Sequence, residues 1–336
     1  MIAELNHRVK NIIALVRSIA RISQHSATSL EQFVSSYEKR LTALADAHSL
    51  VSANPLQWVS LREMLQIELR PYSHQELPLT LEGPEVAFRA DVAPSLALIL
   101  HELVSNAVKY GGLSSHGLGL EVSWQHSGTE LNLRWQERSS QTPTRSRREG
   151  FGLVLLERAV PLEFQGTATI NFANTGFCID IWIPAQTVQL RSATSPSNTH
   201  ASTELTNTAS ARPAAVADVS DPNHILIVED ISLLALELET HLRELGYSQT
   251  SVCANLTDAR SIINSALPRL ALLDINLAVD TTLELALDLI RDGVAVIFMS
   301  GSEPPRDLQK SLRQVPWLIK PIDRGLLERA LTELLS

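Results

Sequence analysis

Apolar residues at the start of the chain recur at helical spacing. From position 1 to about 23 they fall on one stripe of a helical wheel, and a second helical pattern starts at Thr28-Ser29 and ends near position 51. Gln32 stands where a capping box would begin that second helix. Two amphipathic helices alone cannot bury both stripes. We therefore predict a helical hairpin over residues 1–54 that pairs with a second copy as a four-helix bundle.

The periodicity changes after Pro55 and alternates between short strands and helices. This mixture predicts an α/β sandwich over residues 55–186, with helices over one face of a mixed sheet. The two short strands flank the Gly83-Pro84 turn, and Asn174-Thr175-Gly176 marks a later hairpin. Helices are predicted at 58–71, 94–110 and 153–160, and strands at 77–81, 86–88, 120–124, 131–135, 167–172 and 177–183.

The last third of the chain has five apolar strands that alternate with helices. Such βα repeats predict a doubly wound domain over residues 224–336, with a five-stranded parallel sheet covered on both faces. Residues 187–223 are rich in Ser, Thr, Ala, Asn and Pro, which predicts a flexible linker. Strands are predicted at 225–228, 251–253, 270–273, 294–299 and 318–319, and helices at 233–245, 256–266, 282–291, 307–314 and 324–335.

Composition narrows the function classes. The 336 residues suffice for two or three domains, and the net charge of -9 argues against a general nucleic-acid binder. No apolar run approaches a membrane span, and no signal peptide is recognised, so we expect a cytoplasmic protein without a membrane segment. Cys178 and Cys253 each lie in an apolar run, which predicts buried thiols in a reducing compartment.

His7 is the first candidate for chemistry. On the helical wheel it points about 180° away from the centre of the apolar stripe, among Asn6, Arg8, Lys10 and Asn11. A solvent-facing imidazole beside cations is suited to meeting a phosphate. A plain surface histidine on an amphipathic helix is the alternative that the local pattern leaves open.

The helix predicted at 94–110 carries a second polar group. Glu102, Asn106 and Lys109 interrupt an otherwise apolar helix at spacings that place them on one face. An amide oxygen can ligate Mg²⁺, a carboxylate can hold a magnesium-bound water, and an ammonium can face phosphate. A glycine-flanked helix start at Gly150 and Gly152, after a basic loop, is typical of a phosphate site. A solvated stripe on a surface helix remains the alternative.

Polar side chains follow four strands of the predicted parallel sheet. Glu229, Asp230, Asp274, Ser300 and Lys320 all come at carboxyl ends of strands, where the crevice of such a sheet lies. Three carboxylates at one edge would repel each other without a divalent cation. A hydroxyl and a lysine opposite them complete a site for a phosphoryl group.

The first half of the chain resembles the HWE histidine kinases. The run from Glu4 to Asn11, with His7, is similar to the phospho-acceptor box, and Arg40-Leu41-x-Ala-Leu-x-x-Ala-His48 to a later family box. The helix from His101-Glu102 to Tyr110-Gly111 resembles the nucleotide-binding box. Trp135-Gln136-Glu137 matches the Trp-x-Glu motif, and Gly150-Phe151-Gly152 the second glycine box. His48 is expected on the inner side of its helix.

The resemblance implies roles for these residues. His7 would take phosphate from Mg-ATP, and Glu102, Asn106, Lys109, Tyr110, Glu137, Gly150 and Gly152 would bind the nucleotide. Glu137 would accept a hydrogen bond from the adenine amino group. The family usually has Gly-Gly-Pro after the Trp-x-Glu motif, whereas this chain has Arg138-Ser139-Ser140. In the family, the two glycines would let the backbone approach adenine and release the lid. The sequence therefore leaves open a weak or silent kinase.

The last third resembles a response-regulator receiver. Ile-Val-Glu229-Asp230, Leu-Leu-Asp274-Ile-Asn276, Met-Ser300-Gly and Ile-Lys320-Pro321 are the matching motifs. By that resemblance Asp274 accepts phosphate, and Glu229, Asp230, Asp274 and the Asn276 carbonyl bind Mg²⁺. Ser300 and Lys320 would contact the phosphoryl oxygens. Trp317 falls where the family often has an aromatic switch, and ordinary packing is the alternative.

The sequence thus predicts a hybrid histidine kinase that works as a homodimer and passes phosphate from His7 to Asp274 or to a separate response regulator. Two other classes compete with this hypothesis. One is a non-catalytic phosphorelay regulator whose Asp274 is phosphorylated by another kinase. The other is an ATPase or chaperone with the same kind of nucleotide domain, which the receiver motifs argue against.

Overall fold

The computed structural model describes residues 2–53, 58–73, 77–140, 151–173, 176–190, 224–277, 280–304 and 309–335. For positions 2–11, 25, 26 and 310 it describes the backbone alone. These residues form a helical hairpin (2–53), a mixed-sheet domain (58–190) and a parallel-sheet domain (224–335).

Two helices form the hairpin, as predicted: α1 spans Ile2–Ser26 and α2 spans Leu30–Ala53. The Ser29 hydroxyl accepts the Gln32 backbone N–H at 3.2 Å, and the Gln32 side chain accepts the Thr28 N–H at 2.9 Å, which caps α2. Ile19 is buried, whereas Ile13 is 53% exposed. One chain therefore covers only part of the apolar stripe of α1.

His48 is exposed, so its predicted inner position is wrong. The buried face of α2 consists of Arg40, Ala43, Leu44 and Ala47, at spacings of three and four residues. His48 lies one residue beyond that face, and the Ser52 hydroxyl approaches its ring.

The mixed-sheet domain contains two sheets. A five-stranded sheet has the order β2-β4-β5-β7-β6, with β2 parallel to β4 and the other pairs antiparallel. A three-stranded antiparallel sheet has the order β1-β3-β8. The elements are β1 (Trp58–Ser60), α3 (Leu61–Leu69), β2 (Leu79–Glu82), β3 (Val86–Arg89), α4 (Ala93–Tyr110), β4 (Gly117–His126), β5 (Glu130–Ser139), α5 (Phe151–Phe164), β6 (Thr167–Ala173), β7 (Gly176–Pro184) and β8 (Val188–Leu190).

One detail of this domain differs from the prediction. Residues Trp58–Ser60, predicted as the start of a helix, form a strand paired with β3. The helix begins only after them, because the Ser60 side chain caps its first turn. The strands on either side of Gly83-Pro84 do not pair with each other. One joins β4 and the other joins β1, since the turn sends the chain from one sheet to the next.

The start of the predicted linker is also structured. Val188–Leu190 forms β8, antiparallel to β3, with Val188 opposite Phe88 and Leu190 opposite Val86. Val188 is buried, and burial of this side chain explains why the strand forms in an otherwise polar run. Residues 191–223 lie outside the described residues.

The parallel-sheet domain confirms the predicted doubly wound fold. Its five strands are all parallel in the order β10-β9-β11-β12-β13. Apolar clusters cover both faces of the sheet. The elements are β9 (Ile225–Val228), α6 (Ser232–Glu244), β10 (Thr250–Cys253), α7 (Leu256–Ser265), β11 (Leu270–Asp274), α8 (Leu283–Arg291), β12 (Ala295–Ser300), β13 (Trp317–Ile319) and α9 (Arg324–Leu335).

The helix predicted at 307–314 is not formed where the structure describes it. Lys310–Leu312 make a single 3₁₀ turn, and positions 305–308 lie outside the described residues. Pro316 and the short β13 leave little chain for a longer helix. Both cysteines are free: Cys253 is buried, and Cys178 is half-buried. Among the described helices, none is both long and apolar enough to span a membrane.

The three units contact one another. The hairpin lies on the mixed-sheet domain through α2 and α4, and the parallel-sheet domain lies on both through α6, which contacts α1 and α5. Leu15 and Ile19 of α1 and Leu233 of α6 belong to the same apolar core as the mixed-sheet domain. The arrangement is therefore a packed assembly of all three units.

Candidate functional site

The carboxyl edge of the parallel sheet brings together the side chains that the sequence predicted there. One ligand atom from each of Glu229, Asp230 and Asp274 lies within 4.8 Å of the others. The Lys320 ammonium donates to Asp274 Oδ2 at 2.6 Å and also to Glu229. Ser300 ends β12 beside this group and is buried. Topology causes this meeting, because parallel strands end at the same edge.

The electrostatics of this acidic site are dominated by burial. Glu229, Asp274 and Lys320 are each less than 5% exposed. Burial raises the pKa of Glu229, and Lys320 opposes that rise. Burial opposes the charge of Lys320, but Glu229 and Asp274 outweigh this cost and raise the pKa of the lysine. Lys320 therefore holds two carboxylates that would otherwise repel each other.

The donor set fits a divalent cation. Glu229 Oε1 is buried without a hydrogen-bond partner among the described residues, and a metal ion would satisfy it. Three carboxylates are the hard oxygen ligands that Mg²⁺ prefers. The Asn276 N–H donates to Asp274 Oδ1 at 3.2 Å, which orients this carboxylate at the end of β11. The Thr282 hydroxyl secures the Asp274 carbonyl at 2.7 Å.

Trp317 packs close to this site. Its indole N–H donates to the Ser302 carbonyl at 2.8 Å, and its ring lies 5.3 Å from that of Phe298. The Ser302 N–H donates to Ser300 Oγ at 3.1 Å. These contacts connect Trp317 with the loop that follows Ser300, so both predicted roles of Trp317, switch and packing, suit its position.

The predicted nucleotide face on α4 is arranged differently. Glu102 is buried, and its Oε1 accepts a hydrogen bond from Arg40 Nε at 2.7 Å. Arg40 comes from α2, also donates to Ser23 Oγ at 2.7 Å, and lies 4.7 Å from the Phe151 ring centroid. The carboxylate predicted to serve Mg²⁺ is thus engaged by a hairpin arginine.

The other polar side chains of α4 are more accessible. Asn106 is half-buried, Lys109 is exposed, and Tyr110 is 48% exposed. Desolvation lowers the pKa of Lys109, although Glu102 opposes that shift. Asn106 and Lys109 therefore remain available on the face that also carries Glu102, and the nucleotide role of this set stays a prediction.

Glu137 lies inside the mixed-sheet domain and is 1% exposed. Its Oε2 accepts the Gly112 N–H at 3.0 Å, and its Oε1 accepts the Trp135 indole N–H at 3.0 Å. The first bond joins β5 to the loop between α4 and β4, and the second lies within β5. An adenine contact stays a prediction, and in this arrangement it would have to be shared with these two donors.

The residues in place of the family's Gly-Gly-Pro extend β5. Arg138 pairs with Gly119, and Ser139 pairs with Gly117. The Ser140 N–H and hydroxyl both bond the His116 carbonyl at 3.0 Å. The departure therefore lengthens a strand at the point where glycines would loosen the backbone.

Three predicted features lie wholly or partly outside the described residues. Gly150 and the basic loop before it are outside them, and so is the side chain of His7, although its backbone is part of α1. Gly152 is described: a Cβ there would lie 2.3 Å from Glu102 Cβ, so only glycine allows α5 to approach α4 this closely.

Sequence reasoning missed the role of Arg40, although a signal was present. Arg40 takes a place in the same stripe as Ala43, Leu44 and Ala47, and a cation within an apolar stripe indicates a buried partner. The placement of α1 was also unforeseen: Ala14 lines a cleft with Glu229 and Lys320 of the acidic site. No local pattern signals a contact between such distant segments.

Known proteins resemble part of this chain in sequence. Residues 4–85 match the HWE histidine kinase family. A blue-light-activated histidine kinase from Rhizobium johnstonii is 33% identical over 187 residues, which are 55% of this chain and 53% of that protein. One from Brucella anthropi is 32% identical over 189 residues, which are 54% of this chain and 38% of that protein. The chain thus spans about half or less of these relatives.

A solved histidine kinase domain, from the Erythrobacter litoralis EL346 blue-light activated histidine kinase, is 15% identical with a TM-score of 0.38. The match covers 51% of this chain and 93% of the solved domain. Residues 4–85 therefore match the HWE histidine kinase family, and the last third of the chain has a doubly wound fold with an acidic site at the carboxyl edge of its parallel sheet.

Proposed function

We propose that this protein is an ATP-dependent protein-histidine kinase that phosphorylates His7 and then an aspartate. The observation that carries the proposal is the presence, in one chain, of the segment containing His7 that matches the HWE family and of a cluster of buried carboxylates beside α1. ATP is the phosphoryl donor, with Glu102, Asn106, Lys109, Tyr110, Glu137, Gly150 and Gly152 as its binding residues.

In the first step an imidazole nitrogen of His7 attacks the γ-phosphorus of ATP. The bond from that phosphorus to the β,γ-bridging oxygen breaks, and ADP leaves. Catalysis is chiefly positioning and neutralisation of charge, to which Lys109 contributes from the open face of α4. Glu102 takes part once Arg40 releases it.

In the second step the Asp274 carboxylate attacks the phosphorus on His7, and the phosphorus–nitrogen bond breaks. Glu229, Asp230, Asp274 and the Asn276 carbonyl would hold Mg²⁺, which neutralises charge on the transferred group. Lys320 and Ser300 would contact the phosphoryl oxygens. Ala14 lines the cleft with Lys320, and His7 lies two helical turns, about 10 Å, before Ala14 on α1. This spacing supports transfer within the chain, and a separate response regulator remains a second acceptor.

A homodimer through the hairpin completes the proposal. Ile12 is 42%, Ile13 53%, Leu30 74% and Val34 40% exposed, so both helices present uncovered apolar side chains. Pairing two hairpins as a four-helix bundle would bury such positions. The proposed site of action is the cytoplasm.

Labelling with γ-³²P-ATP and Mg²⁺ tests the function. Wild type, His7→Ala, Asp274→Ala and His48→Ala are compared, and His48 serves as the matched control because it is an exposed histidine on the same hairpin. We expect acid-labile, base-stable label in the wild type and in the His48 and Asp274 variants, and its loss in His7→Ala. Label that persists in His7→Ala would contradict His7 as the acceptor. A wild type that binds ATP without labelling would favour the non-catalytic regulator.

A further inference from the structure

Helix α6 of the parallel-sheet domain is buried on two sides. Leu238 and Leu242 pack on their own sheet, within the cluster that includes β9 and β11. Leu233 faces away from that cluster and is fully buried in the core shared by the hairpin and the mixed-sheet domain. A helix with two buried faces joins the bodies on either side of it.

Contacts between α6 and α5 are polar and well formed. Glu163 of α5 accepts the Ser232 backbone N–H at 2.8 Å and the Ser95 hydroxyl of α4, also at 2.8 Å. The Ser232 N–H belongs to the first turn of α6, where a helix leaves its N–H groups unpaired, so the carboxylate caps it. Arg158 donates to Glu239 Oε1 at 2.9 Å.

Contacts between the parallel-sheet domain and α1 repeat this charge pattern. Ser18 bonds Glu237, and Arg21 lies 3.7 Å from Glu237 Oε1. Arg17 donates to the Pro321 carbonyl at 3.2 Å, next to Lys320 of the acidic site. Helices α1 and α5 thus each present arginines to α6, and α6 presents the carboxylates that pair with them.

Some buried polar atoms at this interface lack the hydrogen bonds that such atoms have in a permanent core. Glu237 Oε1, Glu239 Oε2 and His241 Nδ1 are buried without hydrogen-bond partners among the described residues. Burying such atoms costs free energy that water would recover if the surfaces separated. An interface of this composition is suited to opening and closing.

We propose that α6 is an intramolecular docking element that holds the hairpin and the mixed-sheet domain in a closed arrangement, and that phosphorylation of His7 requires α6 to undock. This inference rests on the proposed kinase function. In the closed arrangement Arg40 of α2 engages Glu102 of α4. Freeing Glu102 for the nucleotide requires α2 to move relative to α4, and α6 opposes that movement because it binds α1 and α5 together.

Charge reversal in the 336-residue chain tests the docking directly. Arg158→Glu places two carboxylates opposite each other, Glu239→Arg places two cations there, and the double variant restores an opposite-charge pair. Docking is read from hydrogen exchange of the peptide over 231–242, and kinase activity from the initial rate of His7 labelling. Arg329→Glu, an exposed arginine on α9, is the matched control.

We expect each single reversal to raise exchange in the 231–242 peptide and to raise the labelling rate several-fold. The double variant returns both towards wild type, and Arg329→Glu changes neither. Unchanged exchange in Arg158→Glu would overturn the docking surface. Raised exchange with an unchanged or lower labelling rate would overturn the inhibitory role. Absence of label from the wild type and from both single reversals would instead refute the proposed function, while exchange would still decide the docking.

Discussion

The acidic site and the polar face of α4 that is predicted to bind a nucleotide both follow from polar residues on apolar elements, yet they are arranged in different ways. At the acidic site, Glu229, Asp274 and Lys320 converge within one domain. On α4, Glu102 is bound by Arg40 from another unit, and Glu137 points inwards. Strand topology fixes the first site, whereas the position of the hairpin decides the state of the second.

The sharpest way to break this comparison is to remove the acceptor of the acidic site. Asp274→Asn should abolish phosphorylation of the protein by acetyl phosphate and Mg²⁺, because an amide in place of the proposed acceptor carboxylate does not attack the phosphorus. Phos-tag electrophoresis or mass spectrometry measures the product without relying on the kinase. Asp292→Asn, an exposed aspartate of the same domain, is the control and should be phosphorylated normally. Phosphorylation that survives in Asp274→Asn would mean that the acceptor is elsewhere.

Removing the positive charge of Lys320 should destabilise the parallel-sheet domain. Lys320→Met leaves Glu229 and Asp274 buried without their shared partner, a loss we expect to cost about 3 to 5 kcal/mol. Hydrogen exchange in peptides from β9 and β11 reports it, and Mg²⁺ should restore part of the protection. Lys39→Met, on the exposed side of α2, serves as the control. Equal protection in Lys320→Met and wild type would show that the lysine does not hold the carboxylates.

The closed state of α4 can be tested at Arg40. Arg40→Gln should weaken the contact between α2 and α4 by about 3 kcal/mol, since Glu102 loses its buried partner. The same change should tighten magnesium-dependent binding of a fluorescent ATP analogue, because Glu102 is released and a competing cation is gone. Arg329→Gln, at an exposed arginine of α9, should leave the affinity unchanged. Weaker nucleotide binding in Arg40→Gln would mean that Arg40 supports the site instead of closing it.

The smallest expected effect is a pH dependence of the closed arrangement. Burial raises the pKa of Glu163 to about 7 from an ordinary 4.5, while Ser232 and Ser95 oppose the rise and Asp230 adds to it. The closed arrangement therefore binds the proton more tightly than the open one, and it is strongest below pH 4.5 and weakens as the pH rises to about 7.

As the closed arrangement weakens, the radius of gyration should increase with pH, and small-angle scattering measures that increase. In Glu163→Gln the part of the increase that is due to Glu163 should be absent. His241, Glu237, Glu239 and the arginines of α1 and α5 also face the interface, so the difference between the two profiles is the relevant quantity. Identical profiles for the two proteins would exclude Glu163 as the source.

The sequence predicted the helices and strands well where periodicity was long and uninterrupted. It failed at Trp58–Ser60 and Val188–Leu190, short strands whose formation depends on pairing with the distant β3. It also failed for His48, because a helical pattern specifies the spacing of a buried face but not which residues at its margin are covered.

The sequence by itself determined the acidic site, because residues after parallel strands must meet at one edge whatever else the chain does. It also determined which polar residues share a face of α4. Only the tertiary structure decided that Arg40 engages Glu102 and that α6 lies between α1 and α5. These contacts join segments that are far apart in the chain. Their formation depends on how whole surfaces fit, and no local periodicity encodes that fit.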